Sequence, residues 1–198
     1  MPLTRLFALV PLAAVAAALA SPAAPAGVGG QKWYEKAVKK VEGTFSPAEA
    51  KPGQTVTFTL TLELNEGYHT YPTVQTDKMA AGMVNTIQFP KPGTVIFVGD
   101  VQDPKDTKTK AELDLGIAEL RYCTGKVVYT RKAVVSPKAT AGPTTVKLEA
   151  FKLSVCDKDN CFAPKNVPVE ATLKVLEGPA VPVEKEFAEE VKKALGDK

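Results

Sequence analysis

The side chains of this sequence that could do chemistry are three cysteines and a single histidine. Cys156 and Cys161 are separated by four residues, Asp-Lys-Asp-Asn, whose composition favours a tight turn. Such a turn can bring the two thiols within disulfide distance, whereas Cys123 lies far upstream of both. We therefore predict a pair between Cys156 and Cys161, with Cys123 as a free thiol packed like a small hydrophobic residue. A bridge from Cys123 to Cys156 is the open alternative.

The chemistry of the cysteine pair has two interpretations. A bridge across so short a loop stabilises a fold by only roughly 2 kcal/mol, and a chain of this size can build a core of its own. This favours a redox-active disulfide that exchanges with a partner's thiolate through a mixed disulfide. The alternative is a structural bridge in a non-catalytic binding or scaffold domain. Neighbouring aspartates disfavour a thiolate while Lys158 and Lys165 favour it, so no strongly activated nucleophile is indicated.

His69 is the chain's single histidine, so any cysteine–histidine or serine–histidine mechanism would have to use it. It lies between aromatic residues on a predicted strand, which favours a structural role. One histidine and three cysteines poorly match the ligand spacing of zinc sites, and Met79 and Met83 lack the additional ligands of a copper site. We predict no metal and no cofactor, and we expect both methionines to fill gaps in the packing.

The amino-terminal residues predict export from the cytoplasm. Arg5 supplies a positive charge, an apolar run follows over 6–19, and Ala-Leu-Ala at 18–20 has the small residues of a cleavage site. No cysteine near this point could accept a lipid, and no later segment is apolar enough to cross a membrane, so we expect no membrane insertion of the mature chain. Outside the cytoplasm disulfides form and persist.

Length and composition fit one globular domain that binds neither nucleic acid nor an anionic membrane. The 198 residues are 44% hydrophobic and 24% charged, which is far from the composition of a disordered chain. The net charge is only +3 and no block of basic residues occurs. The predicted organisation is a signal peptide over 1–20, an Ala/Pro/Gly-rich linker over 21–30, a β-sandwich over 31–178 and a helical tail over 179–198.

A run of β-strands punctuated by proline and glycine begins at Val38 and predicts an antiparallel β-sandwich. The clearest strand is 54–64, where valine, phenylalanine and leucine alternate with threonine and glutamate, so that one face is apolar and the other polar. A Lys-Pro-Gly turn at 51–53 precedes it. The other predicted strands are 68–71, 84–89, 94–98, 118–122, 126–135, 145–155 and 167–176.

Two segments depart from this pattern. Residues 99–116 are polar without an aromatic residue, which predicts a long solvated surface loop. In 183–195 an apolar residue recurs every four positions, which predicts a short amphipathic helix that docks on the sandwich. Trp33 and Tyr34 precede the first strand, and we expect them to cover one end of the core.

The segment 151–164, with the sequence FKLSVCDKDNCFAP, and the strand 167–176 resemble the cysteine hairpin in the amino-terminal domain of the thiol:disulfide interchange protein DsbD family. Other segments of the sequence resemble segments of that family in the same order along the chain. The sequence NEGYHTY at 65–71 is similar to a Gly-aromatic-x-x-Tyr strand start of that family, 87–90 to a strand that ends in proline, and 122–135 to the strand after its cap. The resemblance spans residues 38–176, and the cysteine motif is its specific part.

This resemblance implies an immunoglobulin-like β-sandwich in the periplasm with Cys156 and Cys161 as the catalytic pair. It implies a component of a protein-disulfide reductase that takes electrons from a membrane-embedded donor and passes them to thioredoxin-like periplasmic oxidoreductases. It also implies that Cys161 forms the mixed disulfide with the partner. The family's transmembrane and thioredoxin-like parts are absent from the chain and are expected to be separate proteins. The segment 99–116 occupies the place of the family's cap but has no aromatic residue.

Overall fold

The computed structural model describes residues 32–196, in which β-strands are the main regular structure, with one short α-helix near each end. The predicted signal peptide (1–20) and linker (21–30) lie outside the described residues. Within 32–196, no helix combines the length and the apolar character needed to cross a membrane.

The elements are numbered in chain order. The helices are α1 (Lys32–Ala37) and α2 (Ala188–Ala194). The strands are β1 (Val38–Ser46), β2 (Glu49–Ala50), β3 (Thr55–Leu64), β4 (His69–Thr70), β5 (Thr86–Gln88), β6 (Val95–Gln102), β7 (Lys108–Glu112), β8 (Ile117–Thr124), β9 (Lys126–Val135), β10 (Gly142–Lys147), β11 (Ala150–Leu153), β12 (Val155–Cys156), β13 (Lys165–Asn166) and β14 (Glu170–Val175).

A four-stranded antiparallel sheet in the order β1, β3, β9, β6 is the largest unit of the described fold. Its centre is the pair β3 and β9, which runs in register from Thr55 opposite Val134 to Glu63 opposite Lys126. Three smaller sheets complete the fold, in the orders β10-β14-β2, β13-β11-β5 and β12-β4-β8-β7. Among the described strands, β14 and β2 form a parallel pair and the other named pairs are antiparallel.

The alternation along β3 builds the core, because every second side chain faces inward. The buried side chains of β3 are Val56, Phe58, Leu60, Leu62 and Leu64. They belong to one apolar cluster with Tyr129 of β9, Phe151 of β11 and Leu173 of β14. Trp33 is buried in the same cluster, with Tyr34 packed against it, as expected from their position before the first strand. The predicted all-β, immunoglobulin-like antiparallel sandwich with a short C-terminal helix is confirmed.

The prediction of a long loop over 99–116 is wrong. Strand β6 continues to Gln102, and β7 pairs with β8 from Lys108 opposite Tyr122 to Glu112 opposite Ile117. Only a short connection separates β6 from β7, and a 3-10 helix (Leu113–Leu115) turns the chain into β8. Strand β7 is a partly exposed edge strand that needs no apolar face, so its polar sequence carried no strand signal.

The single strand predicted over 145–155 is also wrong, because the chain there forms three strands. Residues 148–149 separate β10 from β11, and Ser154 separates β11 from β12, so the three strands join three different sheets. The Ser154 hydroxyl donates to the Val84 carbonyl, and its backbone N–H donates to the Asn85 side chain. These bonds direct the chain away from the sheet of β11 towards the sheet that contains the cysteine hairpin.

The C-terminal helix is shorter than the predicted 183–195, because α2 begins only at Ala188. Before it, residues 181–184 have no regular secondary structure and 185–187 form a turn. The Val181 N–H donates to the Pro52 carbonyl, and Gly53 has φ +84° where a Cβ would lie 1.9 Å from the Val181 carbonyl oxygen. The predicted apolar stripe docks on the sandwich, where Phe187 and Val191 join a separate cluster with residues of β6 and β9.

Candidate functional site

Cys156 and Cys161 form a disulfide with an S–S distance of 2.01 Å, which confirms the pairing predicted from their spacing. The two residues form an isolated antiparallel bridge at the base of a tight turn. The Asp157 carboxylate holds this turn by accepting the backbone N–H groups of Asp159 at 2.8 Å and Asn160 at 2.7 Å. These two hydrogen bonds lower the pKa of Asp157, so it is ionised at neutral pH.

The two sulfur atoms lie in different environments. Cys156 is 2% exposed and packs with Ile117 and Leu120 of β8 in a small apolar cluster apart from the main core. Cys161 is exposed. Of the two residues of the bridge, Cys161 is therefore the one that is accessible from solvent.

Tyr71 connects the pair to the fold. Its hydroxyl lies 2.9 Å from Cys156 Sγ and 3.6 Å from Cys161 Sγ. The residue is 2% exposed, and burial raises the pKa of Tyr71 to about 12, so at neutral pH the hydroxyl keeps its proton and can donate it. Tyr71 was not predicted to belong to the site. The available signal was its position two residues after His69 in the predicted strand 68–71, because alternate residues of a strand lie on the same face.

A buried amide fixes the strands that hold this tyrosine and the cysteine hairpin. Asn85 Nδ2 lies within 2.8 Å of three oxygens, which belong to the Thr70 side chain, the Tyr71 carbonyl and the Tyr129 hydroxyl. Its Oδ1 accepts the backbone N–H of Ser154 at 2.8 Å. Asn85 is 1% exposed, so these groups have no water to replace a lost partner. Asn85 belongs to the predicted strand 84–89, but the structure begins β5 only at Thr86, and no sequence signal indicated that the Asn85 side chain is buried.

His69 lies beside the disulfide and not in a remote part of the core. On β4 it is the Cα partner of Cys156 on one side and of Thr124 on the other. Its ring packs edge-on against Tyr71 and Tyr122, with centroids 5.7 and 5.5 Å away. Burial lowers its pKa. Of the two aromatic residues that flank it on the predicted strand, Tyr71 contacts the ring, whereas Tyr68 packs against Phe162. The contact with Tyr122 and the nearness of His69 to the cysteines were not predicted.

A cavity of about 180 Å³ opens at the disulfide. Its walls include both cysteines, His69 and Tyr71, together with Glu112 and Leu115 from the hairpin of β7 and β8. The segment 99–116 therefore borders the site, and Leu115 is an apolar residue that it contributes to the cavity wall. Leu115 is 55% exposed, and Leu113 in the same 3-10 helix is 79% exposed.

Cys123 is a free thiol, as predicted, and it is 2% exposed on β8. Its Cα partner is Thr70, which in turn pairs with Val155, so Cys123 and Val155 share one face of this sheet. Cys156 belongs to the opposite face, because neighbouring residues of a strand point to opposite sides. Burial raises the pKa of Cys123, which further disfavours a reactive thiolate.

The predicted packing role of the two methionines is confirmed for one and wrong for the other. Met83 is partly buried against the small apolar cluster beside Cys156. Met79 is 65% exposed, because it lies on a 3-10 helix (Lys78–Ala80) that turns Ala80 inward instead.

An aromatic stack lies on the other side of the hairpin. The Phe162 ring is parallel to Trp33 with centroids 5.4 Å apart, and Tyr68 lies 6.3 Å from Phe162. The Lys165 ammonium sits 4.5 Å from the centroid of the Tyr34 ring. The residue after Cys161 is therefore anchored to the core, which fixes the position of the exposed sulfur.

The fold and the site define a β-sandwich protein with an asymmetric disulfide at its surface. The sequence matches no protein-family model, and no curated protein is significantly similar to it in sequence. The structure is similar to the N-terminal periplasmic domain of ScsB from Proteus mirabilis, at 15% identity and a TM-score of 0.41. The similar region covers 76% of this chain and 51% of that one, so this chain spans about half the length of the ScsB domain.

Cohesins are similar to the same degree. A type I cohesin in a cohesin–dockerin complex from Clostridium thermocellum has 16% identity and a TM-score of 0.42, over 69% of this chain and 99% of that one. A non-cellulosomal cohesin from the archaeon Archaeoglobus fulgidus has 14% identity and a TM-score of 0.37, over 70% and 92% of the two chains. Such distant similarity does not transfer an activity from one protein to another.

Proposed function

We propose that this protein is an exported, periplasmic thiol-disulfide exchange module, a component of a protein-disulfide reductase in which Cys156 and Cys161 are the catalytic pair. It receives electrons from a membrane-embedded donor and passes them to thioredoxin-like oxidoreductases. The observation that carries the proposal is the asymmetry of the disulfide, with Cys161 exposed and Cys156 buried against the Tyr71 hydroxyl. A bridge that only closed a loop would not need this arrangement.

The exchange proceeds in two substitutions at sulfur. A thiolate of the donor attacks Cys161 Sγ, so that an intermolecular S–S bond forms while the bond to Cys156 breaks. The electron pair of the broken bond stays on Cys156 Sγ, where the Tyr71 hydroxyl donates a hydrogen bond to the new thiolate. The second thiolate of the donor then attacks the donor sulfur that is bonded to Cys161. This step closes a disulfide within the donor and releases Cys161. The same steps in reverse reduce a client's disulfide.

The surroundings of Cys161 suit a protein partner. Cys161 and Leu115 line the same cavity, so a partner protein that docks there also covers this exposed leucine. Burial of exposed apolar surface favours association. On the opposite side, Phe162 is held by its stack on Trp33 and presents the apolar sequence Phe-Ala-Pro next to the reactive sulfur.

The reduction potential of the disulfide tests the proposal against its alternative. The protein would be equilibrated in thiol–disulfide buffers of known potential, and the reduced fraction measured by alkylation and mass spectrometry. We expect a potential above about −300 mV, because structural bridges in exported proteins typically lie below that value. A lower potential would support the alternative, a non-catalytic immunoglobulin-like binding or scaffold domain with a structural disulfide.

Replacing Tyr71 by phenylalanine is expected to slow reduction of the disulfide by dithiothreitol about tenfold or more. The substitution removes a hydrogen bond to the departing thiolate, and hydrogen bonds to charged groups contribute about 1.5–3 kcal/mol. The measurement is the second-order rate constant at pH 7, followed by alkylation of the released thiols.

Tyr68→Phe is the matched control for this substitution. It removes a hydroxyl from the same segment, but Tyr68 lies by the Phe162 ring and makes no hydrogen bond to either sulfur in the described structure. The rate constant of this variant should equal that of the unsubstituted protein. Equal rates for Tyr71→Phe would contradict the role assigned to the hydroxyl.

A further inference from the structure

His69 faces the buried end of the disulfide from the adjacent strand. It is directly opposite Cys156 in the antiparallel pair of β4 and β12, and side chains at opposite positions have Cβ atoms about 4.5–5.5 Å apart on one face of a sheet. Both side chains line the same cavity. The imidazole therefore lies across the strand pair from the sulfur that becomes a thiolate.

The imidazole is held in this place by aromatic packing. Tyr71 and Tyr122 contact its ring edge-on, so the ring cannot swing away without loss of both contacts. Titratable and charged groups line the two cavities that His69 borders, from every neighbouring element. They are Tyr71 just after β4, Cys156 on β12 with Cys161 after the turn, Tyr122 on β8, Lys110 and Glu112 on β7, Asp157, Lys158 and Asp159 in the cysteine turn, and Glu66 and Tyr68 before β4.

These groups keep the imidazole neutral while the disulfide is closed. Burial and the positive charge of Lys110 lower the pKa of His69, and the negative charges of Glu112 and Asp157 only partly oppose them. A neutral disulfide supplies no further charge. When the bond breaks, a full negative charge appears on Cys156 Sγ, directly opposite the ring, and this charge favours the imidazolium.

We propose that His69 couples proton uptake to the opening of the disulfide, so that its imidazole becomes an imidazolium when the Cys156 thiolate forms. The inference rests on the proposed function, because it describes the thiolate that exchange produces. In this step the donor's thiolate loses its charge in the new S–S bond, and Cys156 gains that charge with the electron pair of the broken bond. His69 then takes one proton from solvent water, and the imidazolium and thiolate balance one another. Return of the electron pair to a disulfide releases the proton.

This coupling increases the fraction of Cys156 that is a thiolate at neutral pH. A thiolate beside an imidazolium forms at lower pH than an isolated thiol. His69 thus acts through Cys156. Its imidazolium stabilises the departing thiolate and forms no bond to the partner.

The test is a titration of the histidine by NMR in the untagged protein. Because His69 is the chain's single histidine, its Hε1 resonance needs no assignment. We expect the titration midpoint to rise by about one pH unit when the disulfide is reduced. Two matched variants assign the partner: Cys161→Ser leaves Cys156 as a free thiol and should keep the raised midpoint, whereas Cys156→Ser should keep the low midpoint of the oxidised protein.

Variants of the histidine give a second readout. His69→Phe retains a ring between the two tyrosines, and His69→Asn retains a polar group, so failure of one to fold does not end the test. Either substitution would be combined with Cys161→Ser. At pH 7 the rate of alkylation of Cys156 should be about tenfold lower in the double variant than in Cys161→Ser alone, and this difference should vanish above pH 9.

The outcomes are distinct. An identical midpoint in the oxidised and reduced protein, or a raised midpoint that persists in Cys156→Ser, would overturn the coupling and leave the exchange function standing. A disulfide that opens only in strong reductant, with a raised midpoint once open, would support the coupling and overturn the exchange function.

Discussion

Cys156→Ser is expected to accumulate a mixed disulfide with a thioredoxin-like protein through Cys161. The exposed sulfur of Cys161 can bond to the partner, but the buried thiol that would release it is absent. Cys161→Ser should trap little or nothing, because Cys156 is 2% exposed and lies behind the Tyr71 hydroxyl. The measurement is incubation with a partner that lacks its own resolving cysteine, followed by non-reducing electrophoresis and mass mapping of the joined peptides.

Cys123 supplies an internal control in the same gels. It remains in both variants, so covalent complexes that contain its peptide would indicate non-specific reaction of an unfolded fraction. Equal trapping by both variants would contradict the separate roles of the two cysteines. No trapping by either, together with a wild-type bridge that resists mild reductants, would favour a structural disulfide.

The sequence predicted those parts of the fold whose information is local. Alternation of apolar residues and threonine defines β3 because one face of that strand is buried and the other is not. The disulfide was predictable because only four residues separate its cysteines, and the turn between them consists of turn-forming residues. Strand β7 was missed because an edge strand with partly exposed residues has no apolar alternation to detect.

The rest of the site depends on contacts between distant parts of the chain. Tyr71 lies 85 positions from Cys156, and Asn85 lies 69 positions from Ser154. The strand pairing that places His69 opposite Cys156 joins two strands of two residues each, too short for a periodic signal. The sequence contains the tyrosine, the asparagine and the histidine without any sign that they meet, and only the topology of the sheets brings them to one disulfide.

Asn85→Ala is expected to lower the free energy of unfolding by about 3 kcal/mol. The substitution leaves the partly buried Ser154 N–H without its acceptor. It also removes the donor to Thr70 Oγ1 and to the Tyr129 hydroxyl, and both of these residues are at most 1% exposed. Each buried polar group left unsatisfied costs about 1–3 kcal/mol. Since these bonds tie β4 and β12 together under the disulfide, the Tyr71 hydroxyl should also lose its fixed position at Cys156 Sγ.

Asn65→Ala is the matched control, because the Asn65 amide also bonds to the backbone of a distant residue, the Lys36 carbonyl at 2.8 Å, but lies at an exposed site. Water can replace that bond, so the loss should be no more than about 1 kcal/mol. Urea denaturation of both oxidised variants measures the two free energies of unfolding. The rate of reduction by dithiothreitol tests whether the Tyr71 hydroxyl keeps its position at the disulfide. Equal stability losses in the two variants would contradict the role of Asn85 as the buried anchor of the disulfide. A large loss for Asn85→Ala with an unchanged reduction rate would limit that role to the fold, because the position of Tyr71 would then not depend on the amide.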